Sequence, residues 1–170
     1  MKKVLITLMV LSGFAVNSFA QSSNDGGKVS IGVEAGIPVG DISNGYNFVI
    51  GGSLKFEQPV ANALAVTLTA GYSSFQGKTV TILGVSGKYP AAGFIPAKAG
   101  LKFGIADALY GEAQLGAAFS TESGGGTAFA YSPGIGFKFS ENIDLGVRYE
   151  GWSHSGNTVS QVAARLGFSF

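Results

Sequence analysis

From Lys28 onward the sequence alternates: apolar side chains recur at every second position, and most of the charge falls on the positions between them. Successive residues of a β-strand point to opposite faces, so a period of two marks a strand with one apolar face. The pattern runs from Lys28 to about Val39, Phe48 to Glu57, Leu64 to Ser73, Ile95 to Gly104, Leu109 to Phe119, Phe129 to Phe139, Ile143 to Glu150 and Val162 to Phe170. In this register the apolar faces hold no Asp, Glu, Lys or Arg. The opposite faces collect Glu34, Lys55, Glu57, Lys98, Lys102, Glu112, Lys138, Asp144, Arg148, Glu150 and Arg165. The remaining charges fall in tails, loops and turns.

Periodicity alone does not say which face is the outside. A soluble sandwich or lipocalin-like barrel would turn the charges to water and bury the apolar faces, and as a sandwich it would need two sheets packed together. The last stretch argues against that arrangement. Val162, Ala164, Leu166, Phe168 and Phe170 share one face and Ala163, Arg165, Gly167 and Ser169 the other, and the sequence stops on an aromatic without a polar tail. This strand resembles the closing strand of the small outer-membrane β-barrels of Gram-negative bacteria, the eight-stranded OmpA/OmpX-like barrel domains. The resemblance covers residues 28–170. It implies an all-β fold, an eight-stranded antiparallel up-and-down transmembrane β-barrel in the cell outer membrane. It also implies that Phe168 and Phe170 form a signal read by the barrel-assembly machinery. Outer-membrane lipid and lipopolysaccharide are then the expected partners of a monomer.

The start of the chain points the same way. Lys2 and Lys3 precede an apolar run from Val4 to Val16, and Ser18-Phe19-Ala20 supplies small residues where a signal peptidase cuts. Residues 1–20 read as a cleaved signal peptide and residues 21–27 as a flexible polar tail. The apolar run is shorter than the roughly 20 residues of a spanning helix. Cleavage would remove Lys2 and Lys3 from the 11 basic residues and none of the 10 acidic ones, leaving a formal charge of −1. That balance offers no basic surface for nucleic acid. With no cysteine there is no disulfide, lipoprotein anchor or thiolate metal site, and no cofactor or metal is expected. The 27 glycines are roughly twice the usual share of about 7%, and they show no collagen period.

A periplasmic N-terminus makes the connections alternate between short turns, around 58–62, 106–108 and 140–142, and longer outer loops, including 76–93 and 153–160. Phe48, Tyr72, Phe94, Phe119, Phe129, Tyr131 and Tyr149 are then expected at an outer aromatic girdle, with Phe56, Phe103, Phe137, Phe139, Phe168 and Phe170 at an inner one. Trp152 breaks the outward parity and would need a bulge to join them. The Thr79–Leu83 stretch reads as a hairpin extension beyond the barrel or a strand edge for a partner.

An eight-stranded barrel encloses a space that side chains just fill. Six cations and five anions among the eleven inward positions must therefore pair there. Lys98 and Lys102 are expected to share that network with Glu112, and inward glycines such as Gly32, Gly100, Gly146 and Gly167 leave room for long side chains. The first reading is an ion-pair plug in a non-enzymatic structural or surface-interaction protein. A narrow passive channel is the second. The third is an outer-leaflet lipid A-modifying hydrolase, because His154 with Ser153, Ser155 and Asn157 is loosely similar to the lipid A deacylase motif. Here Gly156 stands in the serine slot and no acid follows Glu150. Glu150 itself is about 13 Å away along an extended chain at about 3.3 Å per residue. The soluble lipocalin-like binder is the fourth.

Overall fold

The computed structural model describes residues 26–82, 85–122 and 124–170. The expected signal peptide and residues 21–25 of the tail lie outside the described residues. Among the described residues ten strands follow in order: β1 Lys28–Val39, β2 Tyr46–Ala61, β3 Leu64–Gly77, β4 Thr79–Ile82, β5 Val85–Lys88, β6 Ala92–Gly104, β7 Leu109–Ser120, β8 Thr127–Lys138, β9 Ile143–His154 and β10 Asn157–Ser169. Eight of them close into one barrel in the order β1-β10-β9-β8-β7-β6-β3-β2, and β4 and β5 form a separate two-stranded sheet inserted between β3 and β6.

Every barrel pairing is antiparallel, and closure follows from side-chain pattern. Where β1 meets β10, Val33 lies opposite Leu166 and Glu34 opposite Arg165. A slip of one residue would set apolar against charged along the whole seam, so the alternation itself fixes the register. Pro96 and Pro133 lack a backbone donor, and they sit where the β3–β6 and β8–β9 ladders skip, from Ala70↔Ala97 to Ser73↔Phe94 and from Tyr131↔Gly151 to Gly134↔Arg148.

The barrel is inside out relative to a water-soluble one. Val33 is 67% exposed on the outer wall, whereas Lys98 is 4% exposed in the lumen. Ile31, Leu54, Leu115, Ile135 and Leu166 share the outer face, while Glu34, Lys55, Lys102, Glu150 and Arg165 are buried inside. A core of polar side chains surrounded by apolar surface is stable only where the surroundings are themselves apolar.

Two of the expected loops shorten, and a third takes regular structure. The loop expected over 153–160 shrinks to the two residues Ser155 and Gly156, with φ of 49° and 85°, so β9 and β10 run on to a tight hairpin. Positive φ at both central residues gives a turn whose twist matches that of the strands. The 76–93 loop divides into the end of β3, the β4–β5 hairpin and the start of β6. Gly40–Asn44, within the first outer loop, forms a short 3-10 helix.

Trp152 keeps the parity of its strand, and one aromatic placement changes. β9 pairs with β10 without a break from Ile143 to His154, so no bulge rotates Trp152, and it points into the lumen at 2% exposure. Phe94 precedes the outward Ile95 on β6 and faces inward as well, packed on Phe75 and Trp152, which removes it from the outer girdle.

Candidate functional site

Every second residue of each strand enters the lumen, and the inward set divides along the barrel axis into three layers. The middle layer is ionic. Arg148 on β9 reaches Glu34 on β1 at 2.6 Å, and Lys55 on β2 reaches Glu112 on β7 at 2.7 Å. Lys98 on β6 is paired with Glu150 on β9, which also lies 3.5 Å from Arg148. Lys102 on β6 meets Glu57 on β2 at 2.6 Å, and Arg165 on β10 lies 3.9 Å from both Glu34 and Asp144. The Arg148–Glu34, Lys55–Glu112, Lys98–Glu150 and Lys102–Glu57 pairs join strands that are not neighbours in the sheet, so they brace the barrel across its bore. Lys102 and Glu112 are opposite each other in the β6–β7 ladder but take other partners, Glu57 and Lys55, across the bore.

Neutral groups complete the layer. Ser53 Oγ donates to Glu34 at 2.6 Å and accepts from Arg165 Nε at 2.9 Å. Gln114 donates to Thr69 and to Glu112, both at 2.9 Å, and Gln161 donates to Glu150 at 2.8 Å. Tyr110 donates to Asp144 at 2.5 Å, and Lys102 Nζ stands 4.1 Å above its ring. Charges in a poor dielectric are tolerable when their remaining lone pairs and protons are met in this way. The inward polar residues Ser53, Thr69, Tyr110, Gln114 and Gln161 are as much part of the network as the charges. Parity with the charged positions was the signal available for them in the sequence.

Two facing glycine pairs make room for the longest groups. Gly32 and Gly167, partners across β1–β10, lie under the Arg165 guanidinium; Gly136 and Gly146, partners across β8–β9, lie under the Tyr110 ring and hydroxyl. A methyl on Gly32, Gly136 or Gly167 would collide with the overlying group. The space left at the centre is a chamber of about 20 Å³ lined by Lys55, Ser132, Arg148 and Arg165 among others. One water needs about 10–15 Å³ measured this way, so the chamber holds about one. Ser132 Oγ, Arg148 Nε and Arg165 Nη1 are buried without a hydrogen-bond partner among the described residues.

At the end of the barrel that carries the longer loops, the lumen is apolar. Phe75, Trp152, Val49, Ala118, Ala128 and Ala130 form a buried cluster, flanked by Ile42, Tyr46 and Phe94. Phe75 takes Tyr46, Phe94 and Trp152 at ring separations of 5.9, 5.7 and 5.5 Å, each edge to face, as the ring quadrupoles favour. Small alanines on β7 and β8 leave the width that these rings fill, making a septum across the bore. At the opposite end, where the short turns lie, a vestibule of about 470 Å³ opens between Glu57, Lys102, Asp107, Tyr110 and Lys138. Lys138 shares the inward parity but sits exposed here, and among the described residues no ion pair reaches it.

The other singled-out residues lie elsewhere. His154 ends β9 at the loop end of the barrel; its Nδ1 is 2.8 Å from the Thr127 carbonyl oxygen, and Ser153 bonds Thr158 at 2.8 Å. Among the described residues no carboxylate contacts His154, and no group of three or more His, Cys, Asp or Glu side chains could hold a metal ion. Phe168 and Phe170 are exposed on the outer wall at the turn end, their rings 5.2 Å apart.

The profile of the outer membrane protein beta-barrel domain family matches residues 6–170. Among solved structures the chain is similar to the Yersinia pestis outer membrane protein Ail in a phospholipid bilayer nanodisc, with 20% identity and a TM-score of 0.59 over 85% of this chain and 99% of that one. It is also similar to the N-terminal β-barrel domain of Pseudomonas aeruginosa OprF, with 16% identity and a TM-score of 0.59 over 84% and 97% of the two chains. A de novo designed transmembrane β-barrel aligns with a TM-score of 0.54 at 14% identity, over 84% and 95%. Identities this low speak for shared fold alone. No curated protein matches the sequence.

Proposed function

Since the chain belongs to the outer membrane protein β-barrel domain family, we propose that it is a monomeric, non-conducting barrel with a structural or surface-interaction role, whose contacts are made at the loop end. The filled lumen carries this reading. Five cations and five carboxylates pair within the bore, and the aromatic septum lies above them. An ion crossing this path would have to enter a chamber of about 20 Å³ and then pass a largely apolar wall of rings that offers little to replace its hydration, which is strongly unfavourable.

With short turns toward the periplasm and longer loops outward, as is general for transmembrane barrels, the β4–β5 hairpin and the 3-10 segment would lie outside the cell, toward lipopolysaccharide. The non-enzymatic reading rests on His154, whose ring is held by a backbone carbonyl rather than a catalytic partner. Export would follow removal of residues 1–20. Phe168 and Phe170, displayed on the outer wall, would be what the barrel-assembly machinery reads.

The test is electrical. Purified protein refolded into planar bilayers in concentrated KCl is expected to give no stepwise current while its gel mobility still shifts on boiling, as closed barrels often show. Discrete conductance steps from the heat-shifting species would overturn the plug and put the passive channel in its place.

A further inference from the structure

The ionic layer pairs its charges and still leaves donors over. Among the described residues, Ser132 Oγ, Arg148 Nε and Arg165 Nη1 are buried without a hydrogen-bond partner, and all three residues line one space, the central chamber. The other unpartnered groups lie apart from it: Trp152 Nε1 is in the septum, and Gln161 Oε1 lies over Gly36. Ser132 and Arg165 are only 2% and 3% exposed, so bulk water does not serve them. Buried polar groups are nearly always paired, and a cluster of unpaired ones around a single space points to a water or an ion that completes them.

The chemistry of the lining separates the two. Arg148 Nη2 donates to Glu34 and Glu150, and Arg165 Nε and Nη2 donate to Ser53 and Ser30. Arg165 Nη1 stands 3.9 Å from Asp144, beyond hydrogen-bond reach. A guanidinium only donates, and the Ser132 hydroxyl can turn to donate as well. The charged side chains of the lining are Lys55, Arg148 and Arg165 against Glu112 and Asp144, an excess of one positive charge. Water would have two protons of its own to place, and both carboxylates are already engaged, Glu112 by Lys55 and Gln114 and Asp144 by Tyr110. At about 20 Å³ the chamber exceeds the about 10–15 Å³ that a water needs, and it is too small for a phosphate. We infer that the chamber is a binding site for one monatomic anion, a halide such as chloride, held by Arg148 Nε, Arg165 Nη1 and Ser132 Oγ. Charge-assisted hydrogen bonds in a poor dielectric offset the lost hydration of the ion. Tyr110 lines both the chamber and the vestibule, which gives the ion its way in from the turn end. The site rests on the paired layer and stands whether or not the barrel conducts.

The experiment refolds the full protein into detergent in sodium gluconate, with chloride or bromide replacing gluconate at constant ionic strength, and reads the midpoint temperature of the heat-induced gel shift. Wild type is expected to gain stability as halide replaces gluconate, along a saturating curve for one site. Ser132→Asp sets a carboxylate among the same donors. It is expected to melt no lower than wild type in gluconate and to lose the halide dependence. Should it not fold, Ser132→Ala removes one donor and is expected to need more halide for half of the effect. Crystals of wild type grown in bromide locate the ion, and an anomalous peak in the central chamber is the expected result. An ordered water only in the chamber, or bromide at the protein surface alone, would overturn the site. Equal midpoints of wild type in chloride and gluconate would overturn it as well.

Discussion

Glu150 and Lys98 form the most enclosed pair in the lumen, their side chains 0% and 1% exposed. Their surroundings are unequal, and that inequality predicts an order of effects. Glu150 also receives Arg148 and Gln161, so replacing Lys98 leaves the carboxylate two donors. Replacing Glu150 leaves Lys98 with no counter-ion in contact, and Gln161 with neither end satisfied because its Oε1 is already unpartnered. Breaking a buried pair at one partner typically costs about 3–5 kcal/mol, whereas replacing both partners by apolar groups of similar volume is often neutral. Glu150→Leu is therefore expected to lower stability by about 3–5 kcal/mol and Lys98→Met by less. The double variant should be more stable than Glu150→Leu alone. Urea midpoints in phospholipid vesicles measure all three, and a Glu150→Leu midpoint equal to wild type would mean that the pair does not brace the barrel.

The strands themselves were legible because their signal is local. β1 carries its expected bounds, and the outward faces of all eight barrel strands follow from alternation, because a closed barrel in an apolar medium admits no exceptions along the wall. The hairpin at Ser155-Gly156 was not legible: polar residues read as a loop, and only their pairing across β9 and β10 shows that the strands continue. Partners inside the lumen were hidden for a different reason. Lys102 and Glu112 face each other in the ladder, yet their contacts are decided by which side chains meet across the bore, and that depends on barrel closure. Trp152 was readable by simple parity, without any bulge, and its inward position has an optical consequence. It is the single Trp of the chain, buried in the septum against Phe75 and Phe94 with its Nε1 unpartnered. Its fluorescence in vesicles should resist quenching both by brominated acyl chains and by aqueous acrylamide. Quenching by the brominated lipid would turn the ring outward and dissolve the septum.

Taken as a whole, the barrel has two different ends. The loop end is sealed by rings, the middle is a neutralised ionic layer, and the turn end opens into the vestibule, so water should reach the lumen from one side only. β8 samples all three depths on its inner face: Lys138 lines the vestibule, Ser132 the central chamber, and Ala130 belongs to the septum at 0% exposure. The absence of native cysteine allows each position to be probed by one thiol, which reacts only where it is reached by solvent. Lys138→Cys should be modified quickly by a charged, membrane-impermeant reagent presented at the turn end. Ser132→Cys and Ala130→Cys should react only after denaturation, and a reagent confined to the loop end should reach none of the three. Rapid modification of Ser132→Cys from the loop end would show that the septum opens in the folded protein. The lumen would then be a gated path, and Arg148 Nε and Arg165 Nη1, which make no hydrogen bond among the described residues, would be the groups an entering anion meets at its narrowest chamber.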